Sequence, residues 1–375
     1  MNDRLNINTY KKQKKRKKLI RCIKWLIVAF GLCLLGIFIW VLLIKPQFYK
    51  DNSTGLLVSL SGDPIVDCTN SESKIVVLTN KELIFYSDKG TKLRTINHSA
   101  ISPVINNCGD YIMLYEQGGT NYSIENNNNT ILSETVENKI MLGKIAENGN
   151  IAIVTEDERY ACSLTVYDKS ANQIFKWNLA ENLIVDLQFT NKGKGCVVAT
   201  IGASEGFTKG VVYGLNFSQS RELFKTDIEN SMPISIGLEG GYIHAVCDNK
   251  MVVMDKNGSK IKDIIYTQKL KQYVTTQNNY TVLLFGEEVK FNCNIVVYDK
   301  LGSIIGQIES NNNIRCIKSD GNNVLVLSDN SVICYNMKLE TLSTHENKQS
   351  AVKLVYIGAF GYDISQNQIN KFYIY

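Results

Sequence analysis

Tryptophan, histidine and proline are scarce in this chain of 375 residues, with three, three and four copies. The histidines, His98, His244 and His345, stand far apart, and none has a metal-ligand neighbour at helical spacing, so the sequence offers no metal centre. His244, inside the apolar run GYIHAVC, reads as a core or channel-lining residue. Ten cysteines are present but no CxxC, which excludes zinc-ribbon and thioredoxin readings. Cys22 and Cys33 lie at or inside a long apolar segment. The other eight are scattered singly, mostly beside Val, Ile or Leu, where a free thiol behaves as a small buried hydrophobe. A disulfide stays open, with no pair singled out. No GxSxG, HExxH, P-loop or dinucleotide fingerprint occurs, so nucleophile-elbow, zinc-protease and nucleotide chemistry have no motif to stand on.

The net charge of +5 hides an asymmetry. Residues 1–24 carry +9, leaving about −4 for the remainder, so there is no basic domain of the kind that grips nucleic acid. The positive charge is concentrated in Lys11, Lys12, Lys14, Lys15, Arg16, Lys17 and Lys18. Directly after it, Trp25 to Ile44 runs for twenty residues without a charge. As a helix it would be about 30 Å long, the thickness of a bilayer's hydrocarbon core. Lysines on the amino-terminal flank keep that flank cytoplasmic. The expectation is a basic cytoplasmic tail (1–24), an uncleaved signal anchor (25–44), a short polar linker (45–55) and an extracytoplasmic domain (56–375). A cleaved signal peptide is disfavoured, because the run is long and Lys45, Pro46 and Gln47 follow it in place of small residues. Membrane lipid is the expected contact of the amino terminus, and nucleic acid is not an expected partner.

Beyond the linker one theme recurs: an apolar strand, a turn, a strand ending in an aromatic, an Asp-Lys-x-Gly type turn, and another strand. It is seen in Ile75–Ile96, Ser163–Trp177, Lys250–Ile264, Asn294–Ile308 and Ser331–Thr344. β-Branched and aromatic residues favour strands. Asp at the turn accepts local backbone hydrogen bonds, and Gly supplies a positive φ. All-strand repeats of about 40 residues point to a β-propeller, with one four-stranded blade per repeat. The residue before the turn sets the register: Tyr86, Tyr167, Met254, Tyr298 and Tyr335 are spaced by 81, 87, 44 and 37 residues. Each long gap has room for one degenerate repeat, near Tyr122 and Tyr213, and Asn370–Tyr375 ends an eighth. That last unit lacks an outer strand, which Leu56–Leu60 is expected to supply, closing the ring. The fold class is therefore all-β, an eight-bladed propeller, with seven blades as the runner-up.

The acids Asp168, Asp255 and Asp299 recur at one place in the unit and so belong to turns, since a catalytic pair would be confined to one or two blades. Glu156-Asp157-Glu158 and Glu287-Glu288 read as solvated loop acids. Asp320–Asn323 reads as a tight hairpin that shares only its composition with a calcium loop. No catalytic, cofactor-binding or metal residue is assigned. The less regular loops Gly118–Thr120, Gly202–Lys209 and Glu287–Asn292 are the first places to look for binding.

The lysine-rich start, the single apolar segment and the Tyr-Asp-Lys-x-Gly strand repeats together resemble a clostridial-type family of membrane-anchored proteins carrying a domain of unknown function. The resemblance implies a quinoprotein-like or WD-repeat-like propeller ectodomain. The recurrent Gly and Trp docking pattern of quinoproteins is missing, since Trp177 is the only tryptophan outside the membrane region, and the Gly-His and Trp-Asp dipeptides of WD repeats are missing too. The leading expectation is a binding or scaffolding protein of the envelope, its partner an envelope protein, a wall polymer or a peptide, with no cofactor. The alternative is a propeller enzyme, a quinone-dependent oxidoreductase or a hydrolase, working at the channel mouth.

Overall fold

The computed structural model describes residues 25, 30–31, 33–35 and 55–375, apart from 61–62, 205, 276–278, 288–291 and 348–349. The basic cluster Lys11–Lys18 and most of the anchor expected at Trp25–Ile44 therefore lie outside the described residues. Among the described residues no helix is long and apolar enough to cross a membrane.

Gly55–Tyr375 forms a compact unit. Its strands make eight four-stranded antiparallel sheets, spanning residues 65–97, 103–135, 140–179, 183–229, 233–265, 270–310, 314–346 and 353–373. These are blades one to eight, and seven of them use four consecutive strands. Blade eight takes its outer strand from the start of the unit: Gly55–Ser59 pairs antiparallel with Gln368–Tyr373. The first strands of successive blades touch one another all the way round, with blade eight meeting blade one. The expected closed, eight-bladed ring is present, and no sheet is left to end as an open array.

The apolar runs at the centre of each blade are continuous because both faces of every sheet are buried. Successive side chains point to opposite faces of a strand. Val77 thus joins a cluster with Val355 and Ile364 of blade eight, while its neighbour Val76 joins one with Ile112 and Leu114 of blade two. The same division repeats around the ring and gives eight apolar clusters, one for each seam between blades. Burying a Val, Leu or Ile side chain fully stabilises by about 1.5–3 kcal/mol, so the seams hold the wheel together.

Two register assignments shift. The weak repeats near Tyr122 and Tyr213 do occupy the third strands of blades two and four, but the position before the turn belongs to Glu125 and Leu215. In blade two the pairing irregularity that marks this position falls between Ile124 and Glu125, as it falls between Phe85 and Tyr86 in blade one. Glu125 is buried and satisfied by Arg94 Nη2 at 2.9 Å and Thr130 Oγ1 at 2.7 Å. An ion pair with blade one has replaced the aromatic, which is why the repeat looked degenerate.

Candidate binding face

Antiparallel order sorts the connections. Links between first and second strands, and between third and fourth, leave on one face of the wheel. Links between second and third strands, and from one blade to the next, leave on the other.

The first face is built from tight turns with one device. Asp168 Oδ1 accepts the backbone N–H groups of Ser170 and Asn172. Asp255 accepts those of Asn257 and Ser259, and Asp299 those of Leu301 and Ser303. Asn336 and the Ser87 hydroxyl do the same in blades seven and one. The recurring acids are therefore turn residues. At Asp168 the bonds, first from the Asn172 side chain and then from the backbone, hold the carboxyl below its ordinary range. Asp320 closes its hairpin likewise, accepting from the Asn322 and Asn323 backbones and the Asn323 amide, so its carboxylate is already engaged.

The second face is irregular. The loops Gly118–Thr120 and Gly202–Lys209 emerge on it, because each joins the second and third strands of its blade, while most of Glu287–Asn292 lies outside the described residues. In blade four those strands lengthen to ten residues each, Gly195–Ser204 and Phe207–Asn216, and carry Phe207 outward at 69 % exposure. Ile101, on the link from blade one to blade two, is 90 % exposed. Tyr160, Leu183, Met232, Ile234 and Val352 add exposed apolar surface at this same end of the blades. The tight-turn face exposes Leu223 and Leu301 in its turns, and the outer strands that start there add Leu56, Leu93, Ile174, Ile261, Ile304 and Leu342, so the two ends differ in their connections and not in apolar exposure as such. Gly55, where the chain joins the wheel, opens a strand that starts on the tight-turn side, so the loop face is the one remote from that junction.

On the inner strands, polar side chains tie every seam. Lys353 Nζ meets Asp67 Oδ1 at 3.0 Å between blades eight and one, and the Thr69 hydroxyl donates to Asn107 Oδ1 at 2.8 Å between one and two. Asn106 Oδ1 accepts the Ile145 N–H across the next seam. Lys144 Nζ pairs with the buried Asp186 at 2.9 Å, and Asp186 Oδ2 accepts from the Ser235 hydroxyl and the Ile236 N–H. Glu239 accepts the Tyr280 N–H, Gln272 the Ile317 N–H, and Arg315 donates to the Ala351 carbonyl. Each residue sits in a different blade context and no motif repeats, so sequence reading missed this belt. Its ionisable groups are committed to neighbouring blades.

The histidines stay apart. His244 is buried, with Nδ1 2.8 Å from Thr281 Oγ1 and Nε2 3.0 Å from the Lys300 carbonyl, and burial pushes its pKa down. It is a core residue linking blades five and six. His98 Nε2 meets the Thr79 carbonyl at 3.1 Å, and His345 stacks on Phe372 with centroids 4.9 Å apart. Among the described residues no group of three or more His, Cys, Asp or Glu side chains could hold a metal ion. The nine described cysteines are free thiols, and burial pushes Cys68 and Cys247 up to about 12. The loop acid Asp157 accepts from the Ser163 hydroxyl and the Arg159 and Tyr160 backbones, which lowers its pKa.

Grooves run along four of the seams: eight–one (about 230 Å3), one–two (about 290 Å3), three–four (about 350 Å3) and five–six (about 530 Å3). Each is floored by a tyrosine from the third strand of the following blade, Tyr86, Tyr122, Tyr213 or Tyr298. Burial raises the phenol pKa of Tyr86, Tyr122 and Tyr298, and these rings serve chiefly as seam packing.

No curated protein sequence matches the chain. Among solved structures it is similar to the computationally designed protein Ika8, with 15 % identity and a TM-score of 0.66 over 85 % of this chain and 99 % of that one. It is also similar to the C-terminal WD40 domain of Sif2 (13 % identity, TM-score 0.63, 86 % and 99 % covered). A third is BamB from Moraxella catarrhalis (10 % identity, TM-score 0.56, 85 % and 100 % covered). At such identities the likeness is one of fold. By its sequence over residues 60–369, the chain belongs to the family of unknown function DUF5711.

Proposed function

We propose that this protein is a membrane-tethered, extracytoplasmic binding or scaffolding module whose loop face receives an envelope protein. The observation that carries this reading is the contrast between the connections at the two ends: uniform turns whose polar groups are satisfied from within at one, irregular links and a long hairpin that hold Ile101, Tyr160, Met232 and Phe207 in solvent at the other. Large apolar side chains held in solvent by the connections of a rigid scaffold are a mark of a protein interface. The tether itself is the apolar segment Trp25–Ile44, with the lysines ahead of it on the cytoplasmic side.

Photo-crosslinking residues placed at Ile101 and Phe207, and at Lys169 and Lys256 on the tight-turn face, test the binding reading in intact cells. Discrete adducts are expected from the first pair alone. Adducts from the turn face only, or from neither face, overturn it. Protease added to intact protoplasts is expected to remove residues 55–375, and full protection would defeat the extracytoplasmic placement.

A further inference from the structure

The groove between blades three and four differs in chemistry from the other three. Its wall carries Trp177, the only tryptophan beyond residue 40. The indole N–H donates to Glu222 Oε1 at 3.2 Å, which ties the outer strand of blade three to the turn of blade four. The ring meets Tyr213 edge-on, with centroids 5.0 Å apart and planes at 69°. The indole is thus held in one orientation, with part of its surface open to the groove. The Lys225 ammonium stands 5.7 Å from the Tyr213 centroid, so a cation of the protein's own already attends that phenol ring. Glu181 and Asn182, on the link from blade three to blade four, line the same groove.

A fixed, flat, electron-rich ring bordered by amide and carboxylate groups matches a ligand with an apolar C–H face and hydroxyls around its edge. We propose that this seam binds a saccharide, one pyranose ring lying on Trp177 and its hydroxyls meeting Glu181 and Asn182. The groove's volume of about 350 Å3 accommodates a short oligosaccharide and not a folded domain. The five–six groove is larger and has amides in Asn294 and Gln307, but it carries neither an indole nor a carboxylate and is walled by Ile264, Ile265 and Ile304. Glu181 and Asn182 lie on a loop-face link, but the site uses none of Ile101, Tyr160, Phe207 or Met232 and so stands independently of the partner proposed there.

The test uses the full-length chain in a polyoxyethylene detergent, which carries neither a sugar nor a quaternary ammonium. Trp25→Phe and Trp40→Phe leave Trp177 as its single indole. Emission is followed during titration with chitotetraose, cellotetraose and tetramethylammonium chloride. A saturable change with at least one oligosaccharide, and none with the ammonium salt, is expected. By calorimetry Trp177→Ala should weaken that oligosaccharide about tenfold or more, and Trp177→Phe, which keeps a ring against Tyr213, about threefold with an unchanged melting temperature. Neither oligosaccharide binding at millimolar concentration, tetramethylammonium binding in their place, or Trp177→Ala binding like the parent would each overturn the proposal.

Discussion

The two faces of this wheel are made from the same strands under opposite constraints. On the turn face the reversals between third and fourth strands are solved inside the repeat, by an Asp, Asn or Ser that accepts the backbone N–H groups its own turn leaves unpaired. The polar groups of those turns are satisfied from within. On the loop face the connections also carry the chain from blade to blade, their lengths vary, and apolar groups stay in solvent. Repetition therefore marks what the fold needs, and departure from repetition marks where binding can be placed.

The largest effect that separates scaffold from binding surface is expected on the inner belt. Asp186 balances Lys144 and satisfies two donors of blade five while almost fully buried. Asp186→Ala leaves that ammonium without its counter-charge in a partly desolvated site and should cost about 3–4 kcal/mol, read as a lower urea midpoint. A midpoint within error of the parent would make the belt ornamental.

Next come two glycines of equal φ and unequal surroundings. Gly258, in the turn face at φ +80°, is packed so that a Cβ would drive into the Phe224 ring of blade four. Gly118, in the loop face at φ +79°, has open space where a Cβ would go. Gly258→Ala should cost about 2–3 kcal/mol, backbone strain and overpacking together, and Gly118→Ala about 1 kcal/mol from backbone strain alone. Equal losses in paired denaturation curves would show that the turn face is no more tightly specified than the loop face.

A smaller, pH-dependent effect sharpens the same contrast. The Asp168 pKa is lowered in the folded chain, so the ionised turn contributes stability above the unfolded value of about 3.9, and that contribution is lost as pH falls through the folded value. Asp168→Asn keeps an acceptor but removes the charge. Its urea midpoint should fall less steeply than the parent's on going from about pH 6 to pH 2. Identical slopes would mean the carboxylate adds nothing beyond an oxygen.

These distinctions explain what could be read in advance. The eight repeats and the closing role of Gly55–Ser59 were legible because strand alternation and turn chemistry are local, and a unit missing one strand advertises its need. The register in blades two and four was not, because Glu125 holds its place only with Arg94, thirty-one residues earlier in the chain. The inner belt was invisible for the same reason: Asp67 and Lys353 are 286 residues apart and meet only when the ring closes. Of the candidate surface, the loops at Gly118–Thr120 and Gly202–Lys209 showed themselves by breaking the pattern. Ile101 and Met232 did not, since an isolated apolar residue in a link looks the same whether it packs or protrudes. Trp177 was noticed only as the absence of a repeated tryptophan, although its singularity is what sets its groove apart.

The smallest expected change in stability comes from the residue expected to matter most for binding. Phe207 caps a hairpin that reaches past its neighbours, makes no part of any seam cluster and is 69 % exposed. Phe207→Ser removes apolar surface that folding never buried, so its urea midpoint should stay within about 0.5 kcal/mol of the parent. A crosslinker at Ile101 in the same chain should nevertheless lose most of its adduct, because Phe207 and Ile101 are taken to contact one partner across the loop face. Unchanged stability with an unchanged adduct would show that the protruding hairpin lies outside the interface. A marked loss of stability would show that Phe207 packs in solution, and the division between a structural face and a binding face would then have to be redrawn.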